Sequence, residues 1–230
     1  DQLSNQDGTP LTTAQFKQNS NFEGWNIATT GGSESAWRIY EDKTTPLLRT
    51  FLTNLTLSSA SDTVTTTYNR SSPVLTAIAN NGSIVSDKLL GTETYVNAGT
   101  YNNVFSTLYS GQQGYDIYFA KDLTLKINPA QLSISGLSAT PRPYNGSTDV
   151  TLTGTGSLAG TVYAGDVVNI TGSRSTTGTL ASANAGPQTV TVDSLGYSLG
   201  GSAKSNYQLI SNLTVNISPA PLTLTANALS

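Results

Sequence analysis

LTLKINPAQLSIS, residues Leu123–Ser135, returns without a gap as LTVNISPAPLTLT, Leu213–Thr225. The two Ile-x-Pro-Ala cores begin at Ile127 and Ile217, 90 residues apart. Before each proline the apolar residues fall on odd positions: Leu125 and Ile127, then Val215 and Ile217. After it they fall on even ones, Leu132 and Ile134 in the first copy and Leu222 in the second. Strict alternation marks a strand with one buried face. A phase slip of one residue turns every later side chain to the opposite face of a continuing strand, and proline lacks the N–H a central ladder needs. Each Pro-Ala is therefore expected to close the last strand of one domain and open the first strand of the next. A short proline junction is stiffer than a Gly/Ser linker, so a semi-rigid rod is expected.

Other marks recur around this seam. Asn97-Ala98-Gly99 stands 32 residues before Pro129, and Asn184-Ala185-Gly186 stands 35 before Pro219. Between these marks lie two Tyr-led strands, GYDIYF from Gly114 and SNYQLI from Ser205. Further upstream, TTTYNRSSPVL around Tyr68 is similar to TPRPYNGSTDV around Tyr144. Turn candidates include Asn80-Asn81-Gly82, Tyr144-Asn145-Gly146-Ser147 and Gly200-Gly201. Several short strands punctuated by turns, in units of this size, read as immunoglobulin-like β-sandwiches. The expected fold is all-β, with tandem immunoglobulin-like sandwiches at 53–129 and 130–219 and the start of a further repeat at 220–230.

Residues 1–52 do not repeat, and they read as a short N-terminal β cap-like element. They hold both tryptophans, in FEGWNI and AWRIY, where Trp25 alternates with Ile27 and Trp37 with Ile39. Two short strands flanking the loop ATTGGSES are expected. TTAQFKQ, Thr12–Gln18, suits one helical turn capped by Thr12 or Thr13.

Composition narrows the chemistry. The 230 residues include no Cys, Met or His, which removes Ser-His-Asp and Cys-His catalysis and the usual zinc sites. Ser and Thr make up roughly a quarter of the chain, suiting half-wet strands and turns. The net charge of −3, without Lys/Arg runs, argues against a nucleic-acid partner or an anionic membrane. No apolar run is long enough to span a bilayer. Asp1-Gln2-Leu3-Ser4 lacks the features of a signal peptide, so an excised piece of a longer chain is expected. No phosphate-binding loop is present. The dispersed Asp87, Asp116, Asp122, Asp149, Asp166 and Asp193 lack calcium-loop spacing and read as solvated turn residues.

Glu23, Glu34 and Glu41 near the tryptophans are the one carboxylate set that glycoside hydrolysis could use, and they read better as loop charges. An enzyme is not expected, and no catalytic, cofactor or metal residue is nominated. Sugar binding is the more serious alternative: Trp25, Trp37 and Glu34 are the candidate glycan contacts, against the simpler reading that the aromatics are core. Tyr68, Tyr115, Tyr144 and Tyr207 occupy repeated positions, where packing or a corner hydrogen bond explains them. Asn-x-Ser/Thr sequons at Asn54, Asn69, Asn81, Asn145, Asn169, Asn212 and Asn216 are common by chance in so Thr/Ser-rich a chain.

TPLTTAQFKQNSNFEGWNI and SAWRIYEDKTTPLLRTFL resemble the segment that follows the long β-helix of filamentous-haemagglutinin-like exoproteins, exported by two-partner secretion in Gram-negative bacteria. The 53–129 stretch, with GQQGYDI and INPA, looks like a mostly-bacterial immunoglobulin-like (MBG) domain, and 130–219 looks like its companion YDG domain. The motif that names the latter stands here as Tyr144-Asn145-Gly146; in the first unit Tyr68-Asn69-Arg70 lacks the glycine, so a different turn is expected there. The resemblance implies a secreted or surface adhesin, a role in attachment or biofilm, and no catalytic residues. On that reading residues 1–52 are the end of a β-helix or an extension of the first sandwich. Partners are then other domains of the same parent chain, with polysaccharide as the alternative, and the segment is a monomer that inserts in no membrane.

Overall fold

The computed structural model describes Gly8 and residues 10–79 and 88–224. The Asn80-Asn81-Gly82 turn, Asp87, and the last residues of the second repeat copy from Thr225 lie outside these. The fold is all-β, built from several small sheets, and among the described residues the helical ones are single 3-10 turns. Among the described residues no helix is long and apolar enough to cross a membrane. Two compact units are formed, one from the chain up to Thr66 with Ser71–Ile127, the other from Thr67–Arg70 with the chain from Asn128.

The first unit opens with three two-residue strands, β1 (Ile27–Ala28), β2 (Trp37–Arg38) and β3 (Leu47–Leu48). The ATTGGSES loop returns the chain so that β2 runs parallel to β1, with β3 antiparallel beside it. Ahead of them, Thr12 Oγ1 accepts the Gln15 N–H at 3.3 Å while Gln15 Oε1 accepts the Thr12 N–H at 2.9 Å. This reciprocal pair has the pattern of a capping box and lies just ahead of the turn Gln15–Lys17, whose N-cap position is Ala14 rather than Thr12 or Thr13. Six strands follow: β4 (Thr53–Ser59), β5 (Thr63–Thr67), β6 (Ala77–Ala79), β7 (Gly99–Tyr101), β8 (Tyr115–Lys121) and β9 (Thr124–Asn128). They form sheets ordered β6-β4-β8 and β5-β9-β7. The alternating Leu55 and Leu57, Tyr115 and Ile117, Leu125 and Ile127 are buried.

The second unit contains β10 (Ala130–Ala139), β11 (Arg142–Pro143), β12 (Asp149–Ala159), β13 (Asn169–Gly172), β14 (Thr177–Thr179), β15 (Gly186–Thr189), β16 (Tyr197–Gly200), β17 (Tyr207–Ile210) and β18 (Thr214–Ser218). Its sheets are ordered β14-β12-β10-β17, β11-β18-β15 and β13-β16. Ile134, Val150, Leu152, Leu180, Val190, Leu195, Val215 and Ile217 form its core. Pro129 alone separates β9 from β10, and the buried positions change there from odd to even.

The sequence repeat marks equivalent pairings in the two units. Each Tyr-led strand runs parallel to the first strand of its repeat, β8 to β4 with Tyr115 opposite Thr53 and β17 to β10 with Tyr207 opposite Ala130. Each glycine of Asn-Ala-Gly lies opposite the isoleucine of Ile-x-Pro-Ala, Gly99 with Ile127 and Gly186 with Ile217. The equivalence extends to single hydrogen bonds. Tyr68 N–H donates to the Asn128 carbonyl and Tyr144 N–H to the Ser218 carbonyl, both at 2.8 Å. Two residues on, Arg70 has φ 65° where Gly146 has φ 77°. The first copy therefore keeps the left-handed residue although it has no glycine, which corrects the expectation of a different turn. A non-glycine residue there costs about 1 kcal/mol.

Candidate functional site

The nominated glycan contacts fall into two separate places. Phe16, Phe22, Trp25 and Trp37 form a chain of ring contacts, with Trp25 and Trp37 centroids 5.1 Å apart and tilted by 53°. Both indoles are half-buried and wall a shallow groove of about 360 Å³ with Gly24, Asn26 and Ala36. Glu34 is exposed and lines a different, more polar groove with Arg49 and Asn54. Of the three, the structure brings together Trp25 and Trp37 only.

A deeper arrangement, absent from the sequence-based expectations, lies beside them in the same unit. Asp116 on β8 is buried between two arginines rather than solvated: Arg49 Nη1 donates to its Oδ2, and Arg38 Nε lies 3.3 Å from its Oδ1. The Arg38 contact is one of charge, because its geometry makes no hydrogen bond. The Gly32 N–H also donates to Oδ2 at 3.0 Å. One carboxylate thus faces two guanidiniums, and burial pulls the Arg38 pKa below its ordinary value. The Arg38 guanidinium lies 3.9 Å over the Tyr40 ring. The Tyr40 hydroxyl donates to the Tyr115 carbonyl at 2.7 Å and accepts from the Ile117 N–H at 3.0 Å. It so occupies the edge of β8, a strand with one ladder partner in its sheet, as exposed edges require. Gly31 lies against the same edge, where a Cβ would come within 2.0 Å of the Ile117 carbonyl oxygen. Arg38, Tyr40, Lys43, Tyr109 and Tyr118 wall a cleft of about 360 Å³ above this cluster. Cationic and aromatic walls of this kind are suited to a sugar ring or an anionic group.

The second unit holds a tyrosine–carboxylate clasp. Tyr68 and Tyr207 hydroxyls each donate to Asp166 Oδ2 at 2.7 Å, and the Tyr163 N–H donates to the Tyr207 hydroxyl at 2.9 Å. The rings of Tyr68, Tyr163 and Tyr207 pack edge-on or tilted within 6.4 Å. Asp166 is presented by the turn Tyr163–Asp166, closed by its own N–H on the Tyr163 carbonyl at 3.0 Å, with Gly165 at φ 87° where such turns need a glycine. Arg70 Nε approaches Asp166 Oδ1 at 3.5 Å from a half-exposed position, which adds little. Burial, and then the Asp166 hydrogen bond, pushes the Tyr68 phenol up to about 12. The Tyr207 and Tyr68 hydrogen bonds hold the Asp166 carboxyl below its ordinary value.

Residues 128–215 match the family model of the YDG domain. That span covers the second unit from the start of β10 to the first residues of β18, and the Asp166 turn and the Tyr144-Asn145-Gly146 turn both fall within it. No curated protein and no solved structure matches the chain. Among the described residues no three carboxylates come together as a cation site. Asp116 and Asp166 escaped the sequence reading because their partners, Arg49 and Tyr68, lie 67 and 98 residues away. The only hint was the recurrence of Tyr68 and Tyr207 at repeat positions.

Proposed function

We propose that this chain is a structural and adhesive segment, a stalk or spacer, of a large secreted or surface adhesin of a Gram-negative bacterium. In this reading residues 53–129 are of the MBG type, and the parent is a filamentous-haemagglutinin-like exoprotein exported by two-partner secretion. The segment supports cell–cell, matrix or host attachment and biofilm formation as a monomer whose partners are other domains of its parent. The observation that carries the reading is the repetition itself. Two β units share strand pairings, the second matches the YDG domain, and one proline stands between the last strand of the first repeat and the first strand of the second. Modules that repeat with so little between them suit distance-keeping rather than chemistry.

A second reading, a module that binds matrix or host polysaccharide, is favoured by the Trp25–Trp37 groove and the cleft at Arg38 and Tyr118. One experiment separates the two. Cells carrying the parent adhesin without this segment are expected to attach poorly. Replacing the segment by an unrelated β-sandwich pair of equal length restores attachment if it is a spacer and fails to restore it if it binds glycan. Full attachment after simple deletion would sink both readings.

A further inference from the structure

Tyr68 is 2% exposed, its hydroxyl spent on Asp166, whereas Tyr144 at the equivalent place in the repeat is 43% exposed. The two tyrosines share a backbone bond to the residue between Ile and Pro, and each is followed two residues later by a left-handed residue. Only their surroundings differ. The same contrast holds just beyond the second proline. Leu132 and Ile134, after Pro129, are 1% and 3% exposed; Leu222 and Leu224, after Pro219, are 89% and 92% exposed. Three positions that are core in one copy of the repeat thus lack their covering in the other.

The Tyr144 turn is held in place without a partner. Arg142 Nη1 donates to Asn145 Oδ1 at 2.6 Å and Arg142 Nε to the Asp149 carbonyl at 3.0 Å, while the Ser147 N–H donates to Asn145 Oδ1 at 3.0 Å. A side chain presented on a braced turn loses little freedom on binding.

We infer that Tyr144 is a docking residue for a further module of the YDG type that directly follows the second Ile-x-Pro-Ala. Its hydroxyl donates to that module's counterpart of Asp166, and Leu222 and Leu224 enter its core as Leu132 and Ile134 enter the second unit. The Thr67–Arg70 segment belongs to the second compact unit; residues 143–146 belong to the module after it in the same sense. The charge contact of Arg70 has no counterpart, because Gly146 stands in its place. The inference rests on the serial-unit reading above, but it concerns one joint and leaves attachment to be tested separately.

The test extends the chain by a second copy of residues 130–219 placed directly after Pro219. Tyrosine nitration by tetranitromethane, mapped by mass spectrometry, is compared with that of the 230-residue chain. Tyr144 is expected to be nitrated more slowly in the extended chain by about tenfold or more, and Tyr144→Phe is expected to lower the unfolding midpoint of the appended copy. Equal nitration of Tyr144 in the two chains overturns the inference. Protection that appears equally when the appended copy is supplied as a separate chain overturns the direct succession in one polypeptide. Failure of the appended copy to fold also counts against it, since Pro219 and the Tyr144 turn are held to supply what Pro129 and Tyr68 supply.

Discussion

Asp166 shows how much rests on single side chains that composition reads as solvated. Its carboxylate accepts two phenolic hydroxyls, so the charged form is favoured in the fold and its pKa is lowered. That contribution is present above the ordinary carboxyl value and is lost as pH falls through the folded one. Tyr68 has the opposite sign. Its phenol, ordinarily near 10.0, is pushed up to about 12, so its contribution is complete below the ordinary value and lost as pH rises through about 12. The second unit is therefore expected to show stability limits at both ends of the pH scale. Absorbance titration of the tyrosines should find Tyr68 among the last to ionise, and Tyr68→Phe should remove that late step. The substitution forfeits one charge-assisted hydrogen bond, about 1.5–3 kcal/mol, measurable by urea unfolding at neutral pH. Unchanged stability would mean the clasp is idle.

At the scale of elements, the sequence showed its strands and hid their partners. Period-two runs such as Leu125–Ile127 and Val215–Ile217 are legible because alternation follows from the pleat, and the phase change at Pro129 is legible for the same reason. The parallel pairings of β4 with β8 and of β10 with β17 leave no such local trace, since parallel strands join through long stretches of other structure. Nor could the 29–32 loop be read as the cover of an edge: ATTGGSES looks like a flexible connection until Gly31 is seen against the Ile117 carbonyl. Gly31→Ala must displace either the loop or β8, at a cost of about 1–3 kcal/mol. It is expected to weaken the Gly32–Asp116 hydrogen bond and to loosen Arg38 and Arg49 with it. Hydrogen exchange of the Gly32 and Ile117 amides checks this. Faster exchange at both is expected, while exchange as slow as in the parent sequence would place the loop's anchoring elsewhere.

Across the whole molecule, each unit has its own buried residues, and both tryptophans belong to the first. Tryptophan fluorescence therefore reports the first unit alone, while the second is followed by hydrogen exchange of peptides from 130–217. Leu152, 1% exposed in the core of the second unit, supplies the perturbation. Leu152→Ala is expected to cost about 2–5 kcal/mol and to accelerate exchange throughout β10, β12 and β18. Units with cores of their own unfold as separate cooperative blocks, so the tryptophan-detected midpoint should stay where it is. Asp116→Ala makes the reciprocal change. It strands two buried guanidiniums, at about 3–5 kcal/mol, and should move the tryptophan midpoint while leaving exchange in 130–217 as it was. If either substitution shifts both readouts equally, the units fold as one, and the serial construction on which the spacer reading rests loses its thermodynamic basis.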